Sequence, residues 1–298
     1  MNRFDSLFDR YREQFEAYLP AAYLRAPDSA GGRVVEAARY SLLAGGKRLR
    51  PVLLMATADL LGGSASEVLP FAAAIEMIHT YSLIHDDLPC MDDDDLRRGR
   101  PTCHVQYGEA MAVLAGDALL NRAFEQVLEA GPRFGDRGWK AAAILSQASG
   151  SEGMIGGQAL DLMAEEEAVG FEGLVEIHRR KTGALIKAPI LMAAALMDAS
   201  PYLVDQLTRY ADAIGLAFQI RDDILDVTAD QALLGKTTGK DARDHKTTYV
   251  SIFGLDGAQE HLLQTIASAR EAIAALASQG LSIDFLEGLA DYLVLRQS

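Results

Sequence analysis

The chain has 298 residues, 49% of them apolar, and a formal net charge of −14. That much acid argues against a nucleic-acid partner, whose phosphates need a basic surface. Two cysteines, Cys90 and Cys103, make no disulfide framework and fit a reducing cytoplasm.

Residues 1–19 (MNRFDSLFDRYREQFEAYL) are charged throughout and read as an amphipathic helix rather than a signal peptide, which again predicts a cytoplasmic protein. From about Gly32 onward a helical period recurs, Ala and Leu abound, and alternating strand-like runs are scarce. An all-α protein is expected. No repeat, low-complexity tract or composition shift marks a boundary, so 1–298 is taken as one domain. Gly45-Gly46-Lys47 resembles a nucleotide loop only superficially. Ser41 stands where that loop needs Gly, and Arg48 replaces the Ser/Thr that would hold Mg²⁺.

Residues 68–85 (VLPFAAAIEMIHTYSLIH) are apolar around most of a helical wheel, with Glu76 the main interruption, as in a buried central helix. Pro89 disfavours a helical Leu88 and should end the helix there. The end is acidic: Asp86-Asp87-Leu88-Pro89-Cys90-Met91-Asp92, followed by Asp93, Asp94 and Asp95. Cys103-His104 lacks the paired ligand spacing of a zinc site. Further on, Lys181 after Arg179-Arg180 reads by itself as a solvated face, and Gly183 inside a helical pattern suggests a kink or a close approach. The longest uncharged apolar run, Ala188 to Met197, is far short of the roughly 20 residues that span a bilayer. Residues 211–227 repeat the earlier design, with apolar turns running into Arg221 and Asp222-Asp223-Ile224-Leu225-Asp226.

Both acidic clusters sit at helix C-termini, where the dipole opposes each negative charge by about 0.3–1 kcal/mol. Asp222 and Asp226 are four apart and share a face, while Asp223 points to an adjacent stripe. One such cluster would be an ordinary solvated helix end. Two of related spacing, each closing a buried helix, call for a compensating cation. Mg²⁺ is the natural one, since it takes a few carboxylates and completes its shell with water and phosphate oxygens. The pattern predicts a diphosphate held between two metal-binding walls.

DDLPCMDDDDLRRGRPT from Asp86 to Thr102 resembles the first aspartate-rich motif of the short-chain trans-prenyl diphosphate synthases, in the bacterial form with two extra residues, Pro89 and Cys90. FQIRDDILD (Phe218 to Asp226) is similar to the second motif, GGKRLRP (Gly45 to Pro51) to the diphosphate-binding segment, and KTG (Lys181 to Gly183) and GKTTGKD (Gly235 to Asp241) follow in order. The resemblance implies an isoprenoid synthase fold of antiparallel helices around a central catalytic cavity, usually as a homodimer. It implies Asp86, Asp87 and Asp92 on one metal wall and Asp222, Asp223 and Asp226 on the other, with Asp93 to Asp95 a solvated loop. Lys47, Arg50, His79 and Arg98 would hold isopentenyl diphosphate without metal. Arg97, Lys181 and Lys236 would grip the allylic diphosphate, Thr182 and Gln219 would lie near the allylic carbon, and Lys240 would help close a loop. Tyr81, beside Ser82, would floor the tail pocket, and with the two-residue insertion it matches a fifteen-carbon product, farnesyl diphosphate.

Several alternatives stay open on the sequence. Geranyl or geranylgeranyl diphosphate could be the product, and His79 with His85-Asp86 could suggest a metal-dependent phosphohydrolase. A non-catalytic partner subunit would lack one aspartate motif, and a terpene cyclase would carry an Asn/Ser/Glu-type second motif.

Overall fold

The computed structural model describes residues 3–23, 31–166, 169–228 and 247–295. Those residues form helices α1 (Arg3–Ala22), α2 (Gly32–Leu42), α3 (Leu49–Leu60) and α4 (Leu69–Asp86). A two-stranded antiparallel hairpin, β1 (Leu96–Arg97) and β2 (Arg100–Pro101), interrupts the helical order. Then come α5 (Cys103–Tyr107), α6 (Glu109–Ala130), α7 (Asp136–Ser149), α8 (Met154–Glu166) and α9 (Phe171–His178). A π-turn, Arg179–Gly183, leads into α10 (Ala184–Leu196). Next is α11 (Pro201–Thr228), followed by α12 (Tyr249–Ala277), bent at Gly254 (φ 69°), and α13 (Asp284–Leu295).

Helix α4 is the spine. Twelve of its 18 residues are buried, more than the one-sided face of a surface helix allows. Phe71, Ile75, Met77 and Ile78 are fully covered, each contributing roughly 1.5–3 kcal/mol by leaving water. Pro70 starts it, pre-set for a first turn, and it ends at Asp86, two residues before the expected stop at Leu88. Leu88 packs into the core instead.

Helix α11 has eleven buried residues, among them Asp223. It packs along α10 and α12, and Gly215 makes this possible near the π-turn: a Cβ there would lie 3.1 Å from the Gly183 Cα. The two ends of the described chain meet. Phe4 of α1 stacks among Phe285 (5.3 Å) and Tyr292 (5.8 Å) of α13, over Gly288, where a Cβ would meet the Phe4 ring.

Candidate active site

Asp86 is the last residue of α4 and Asp87 its C-cap, so both carboxylates stand where the carbonyl ends already concentrate negative charge. The loop then folds back on that end: the Asp92 amide donates to the Asp86 carbonyl (2.8 Å) and the Asp94 amide to the Asp87 carbonyl (3.3 Å). Asp93 takes a left-handed conformation (φ 51°) at an exposed position, as expected for the solvated part of the loop. Burial pushes the Asp86 carboxyl up to about 6, with Lys181 opposing the rise and Asp92 and Asp87 adding to it. A carboxylate in that setting is costly to keep charged without a nearby cation.

Asp87 is in a different situation. Arg97, from β1, grips it through Nε (2.7 and 2.9 Å to the two oxygens) and Nη2 (2.5 Å). Burial raises the Asp87 carboxyl while Arg97 lowers it. The hairpin therefore turns an arginine, expected on a substrate, onto an acid expected on a metal.

The second wall divides in the same way. Asp223 is 4% exposed and accepts from the Gln219 side-chain amide (3.2 Å) and from the Tyr249 backbone amide (2.8 Å). It thus sits at the N-terminus of α12, where negative charge is favoured, beside the reciprocal cap made by Thr248 and Ser251. Thr182 Oγ1 donates to Gln219 Oε1 (3.0 Å), so one chain of hydrogen bonds joins the π-turn to α11 and α12. Asp222 and Asp226 are half-buried on α11, one turn apart.

Lys181 leaves the solvated face that Arg179 keeps. Arg179 and Arg180 both pair with Glu176, whereas Lys181 Nζ reaches Asp161 of α8 at 2.6 Å. The π-turn makes the difference, adding a residue per turn and swinging Lys181 and Thr182 inward. Gly157 lets α8 come close, since a Cβ there would lie 2.2 Å from the Lys181 amide nitrogen. Asp161 was not foreseen from the sequence; the Gly156-Gly157 pair inside a helical pattern was the available signal.

Behind this turn, His178 is buried, stacked on Tyr249 (5.9 Å, 19° between rings), and its Nδ1 has no hydrogen-bond partner among the described residues. Burial lowers its pKa to about 4. Between pH 6.5 and 4 the unfolded chain takes up a proton that folded His178 refuses, so stability is lost as pH is lowered across that window, by up to about 3 kcal/mol. His178→Gln should flatten that part of the curve in urea unfolding between pH 4 and 7. An unchanged slope would locate the pH dependence elsewhere.

The basic residues come from the segment around the start of α3 and from the hairpin. Lys47 is exposed on the loop before α3, Arg50 lies in the first turn of α3, and Arg98 follows β1 with φ 55°. Arg98 Nη1 donates to the Gly45 carbonyl, and its guanidinium fills the space where a Gly46 Cβ would be. Burial lowers the Arg50 pKa to about 10, against the pull of Glu76 and Asp222. His79 is driven well below its ordinary value by burial and by Arg50, Arg98 and Arg97, so it is neutral at pH 7. Arg48, between Lys47 and Arg50, is buried and turned the other way, into the protein. Lys236 and Lys240 lie outside the described residues.

A mainly helical body whose two acid-tipped helices stand near a cluster of arginines is the setting in which a chain handles a polyanionic substrate. The polyprenyl synthetase family model matches residues 32–279, and the chain belongs to that family. It has the isoprenoid synthase fold and is a prenyltransferase. It is 50% identical over 266 residues to the farnesyl diphosphate synthase of Escherichia coli (strain K12), covering 88% of this chain and 89% of that protein. It is also 45% identical over 286 residues to geranylgeranyl pyrophosphate synthase 7, chloroplastic, of Arabidopsis thaliana, covering 95% and 81%. Among solved structures, an FPP/GFPP synthase from Zymomonas mobilis aligns with TM-score 0.85 at 37% identity, covering 98% of each chain. Membership removes the phosphohydrolase reading, and His85, on which it partly rested, has its Nε2 against the Val113 carbonyl (3.1 Å).

Proposed function

We propose that this enzyme joins isopentenyl diphosphate head-to-tail to dimethylallyl and then geranyl diphosphate, releasing farnesyl diphosphate, with 1–298 acting as one catalytic domain. The observation that carries the reading is Asp86: a half-buried carboxyl at the end of α4 with a raised pKa, the Asp92 amide on its carbonyl, and Lys181 as its strongest cationic neighbour.

Among the described residues no three His, Cys, Asp or Glu side chains are grouped as a ready-made metal site, but the chemistry of the acids suits Mg²⁺. Asp86 and Asp92 on one side and Asp222 and Asp226 on the other offer only hard carboxylate oxygens. Asp87 and Asp223, engaged by Arg97 and by Gln219 with the Tyr249 amide, are assigned to orienting those groups rather than to the metal. Bound Mg²⁺ would stabilise the charge that develops on the departing diphosphate.

The chain's own groups do the rest. Lys181 is preorganised by Asp161 to meet the allylic diphosphate, with Arg97 and Lys236 assigned to the same anion. Thr182 and Gln219, fixed in one hydrogen-bonded line, present oxygen dipoles toward the allylic carbon. Lys47, Arg50 and Arg98, with neutral His79, take isopentenyl diphosphate, where forked guanidiniums suit paired phosphate contacts. Loss of a proton from the condensed product is assigned to the departing diphosphate.

No described helix is long and apolar enough to cross a membrane, and a cytoplasmic location is proposed. A homodimer is proposed too, through α6, where Val113 (40%), Leu114 (49%) and Leu128 (49%) are exposed. Geranylgeranyl diphosphate is the second reading of the product, favoured by the plant relative.

Incubation with isopentenyl and dimethylallyl diphosphates and Mg²⁺ should yield a fifteen-carbon product, and excess EDTA should stop it. Absence of any condensation would refute the proposal. A twenty-carbon product would select the second reading.

A further inference from the structure

Glu76 is the polar residue that breaks the apolar surface of α4, and nothing in the chemistry above uses it. It is 2% exposed, and its carboxylate accepts from Arg48 Nη1 at 2.7 Å. The same guanidinium donates through Nε to Glu16 of α1 (2.6 Å) and through Nη2 to the Leu42 carbonyl at the end of α2 (2.9 Å). Arg48 therefore ties three helices together from beneath the loop it belongs to.

That loop is conformationally costly. Gly45 (φ 80°), Gly46 (φ 122°) and Arg48 (φ 53°) all have positive φ, which for an arginine is disfavoured by roughly 1 kcal/mol or more. Arg48 is also the N-cap of α3, without a side-chain cap of its own. Its backbone direction sets where Lys47 leaves the loop and how Arg50, two residues later, enters the helix. The loop in turn wraps Arg98, whose guanidinium lies over Gly46.

We propose that Glu76 is a positioning residue for the non-allylic diphosphate site: through Arg48 it holds the left-handed loop in the shape that aims Lys47, Arg50 and Arg98 at one anion. The proposal rests on reading those three cations as the isopentenyl diphosphate site. Glu76 also acts on the cluster directly, as the carboxylate that attracts both Arg50 and Arg98 most strongly. Coulomb attraction taken alone predicts that removing this carboxylate, a rival anion, would tighten diphosphate binding. Positioning predicts the reverse, so the sign of the effect separates the two.

The test is Glu76→Gln in the full-length enzyme. The KM for isopentenyl diphosphate, at saturating geranyl diphosphate and Mg²⁺, should rise about tenfold, since small displacements of binding groups cost that much or more. The KM for geranyl diphosphate should stay within about twofold. A lower melting temperature with both KM values unchanged, or a lower KM for isopentenyl diphosphate, would overturn the proposal. Calorimetric titration of inorganic diphosphate without Mg²⁺ gives a second readout that needs no turnover. Binding should weaken about tenfold in the variant, and equal affinity would overturn the proposal even if the parent fails to condense its substrates. Should Glu76→Gln not fold, Glu16→Gln removes the more exposed partner of the same guanidinium. It should raise the isopentenyl diphosphate KM about threefold, and a folded Glu16→Gln with parental KM would refute the role of Arg48 anchoring.

Discussion

Asp86→Asn is expected to lower kcat/KM by about 10³-fold or more while raising the melting temperature by about 2–5 °C. The two effects share one cause. In the folded chain the Asp86 carboxyl titrates near 6 instead of near 3.8, because burial at a helix C-terminus disfavours its charge. Between those two pH values the folded state holds a proton that the unfolded state has released. Stability therefore falls as pH rises through the window, and above pH 6 the whole cost, of order 2 kcal/mol, remains. Asparagine keeps the shape and removes the charge, so that cost disappears, and with it a ligand for the cation that the reaction needs. Kinetics and differential scanning calorimetry at pH 7.5 check the pair. Mg²⁺ should stabilise the parent more than the variant. A near-parental rate would take Asp86 out of the chemistry, and a fall in melting temperature would mean that its carboxylate is already compensated.

Tyr81→Ala should shift the product beyond fifteen carbons. Tyr81 lies five residues before Asp86 on α4, 4% exposed, with its hydroxyl unpartnered among the described residues. Its ring meets His85 edge-on (5.8 Å, 73°), and His85 in turn occupies the space where a Gly116 Cβ would be. The ring is thus held from α6 and cannot swing aside easily. Deeper along α4 come Ile78 and Met77, both fully buried, so truncation opens apolar volume in the direction the tail would grow. The cavity costs stability, about 3–5 kcal/mol by analogy with other aromatic-to-alanine changes, less whatever is recovered by deleting an unsatisfied hydroxyl. Tyr81→Phe isolates that last part and should leave product length unchanged. Chromatography of the hydrolysed products decides the matter. Products that still stop at fifteen carbons in an active, folded Tyr81→Ala would place the floor on another residue.

Much of this enzyme can be read along the chain because its chemistry is concentrated at helix ends. The apolar run 68–85 became α4, displaced by one residue, since burial of a whole helix leaves a continuous apolar record. The run 211–227 lies within α11, and its acids stand where the spacing put them. Gly183 does mark a close approach, to Gly215 on α11, because a glycine in a helical pattern is costly unless space demands it.

Pairing between distant segments left no such record. That Arg97 faces Asp87, or that Asp223 faces the Tyr249 amide, depends on a hairpin and on a helix start that one-dimensional spacing does not contain. Lys181 reads as solvated beside two arginines, of which only Arg179 is; the π-turn and its contact with Gly157 turn Lys181 toward Asp161.

The sequence by itself therefore determined the all-α class and the two acidic helix ends, because residue type and helical period are local properties, and its ordered motifs carried the family resemblance. Tertiary structure alone decided that Arg97 engages Asp87 and that Gln219 and the Tyr249 amide engage Asp223, and it gave Glu76 a partner. Those outcomes turn on distances between helices, where a shift of a few ångströms separates a buried ion pair from a lone charge.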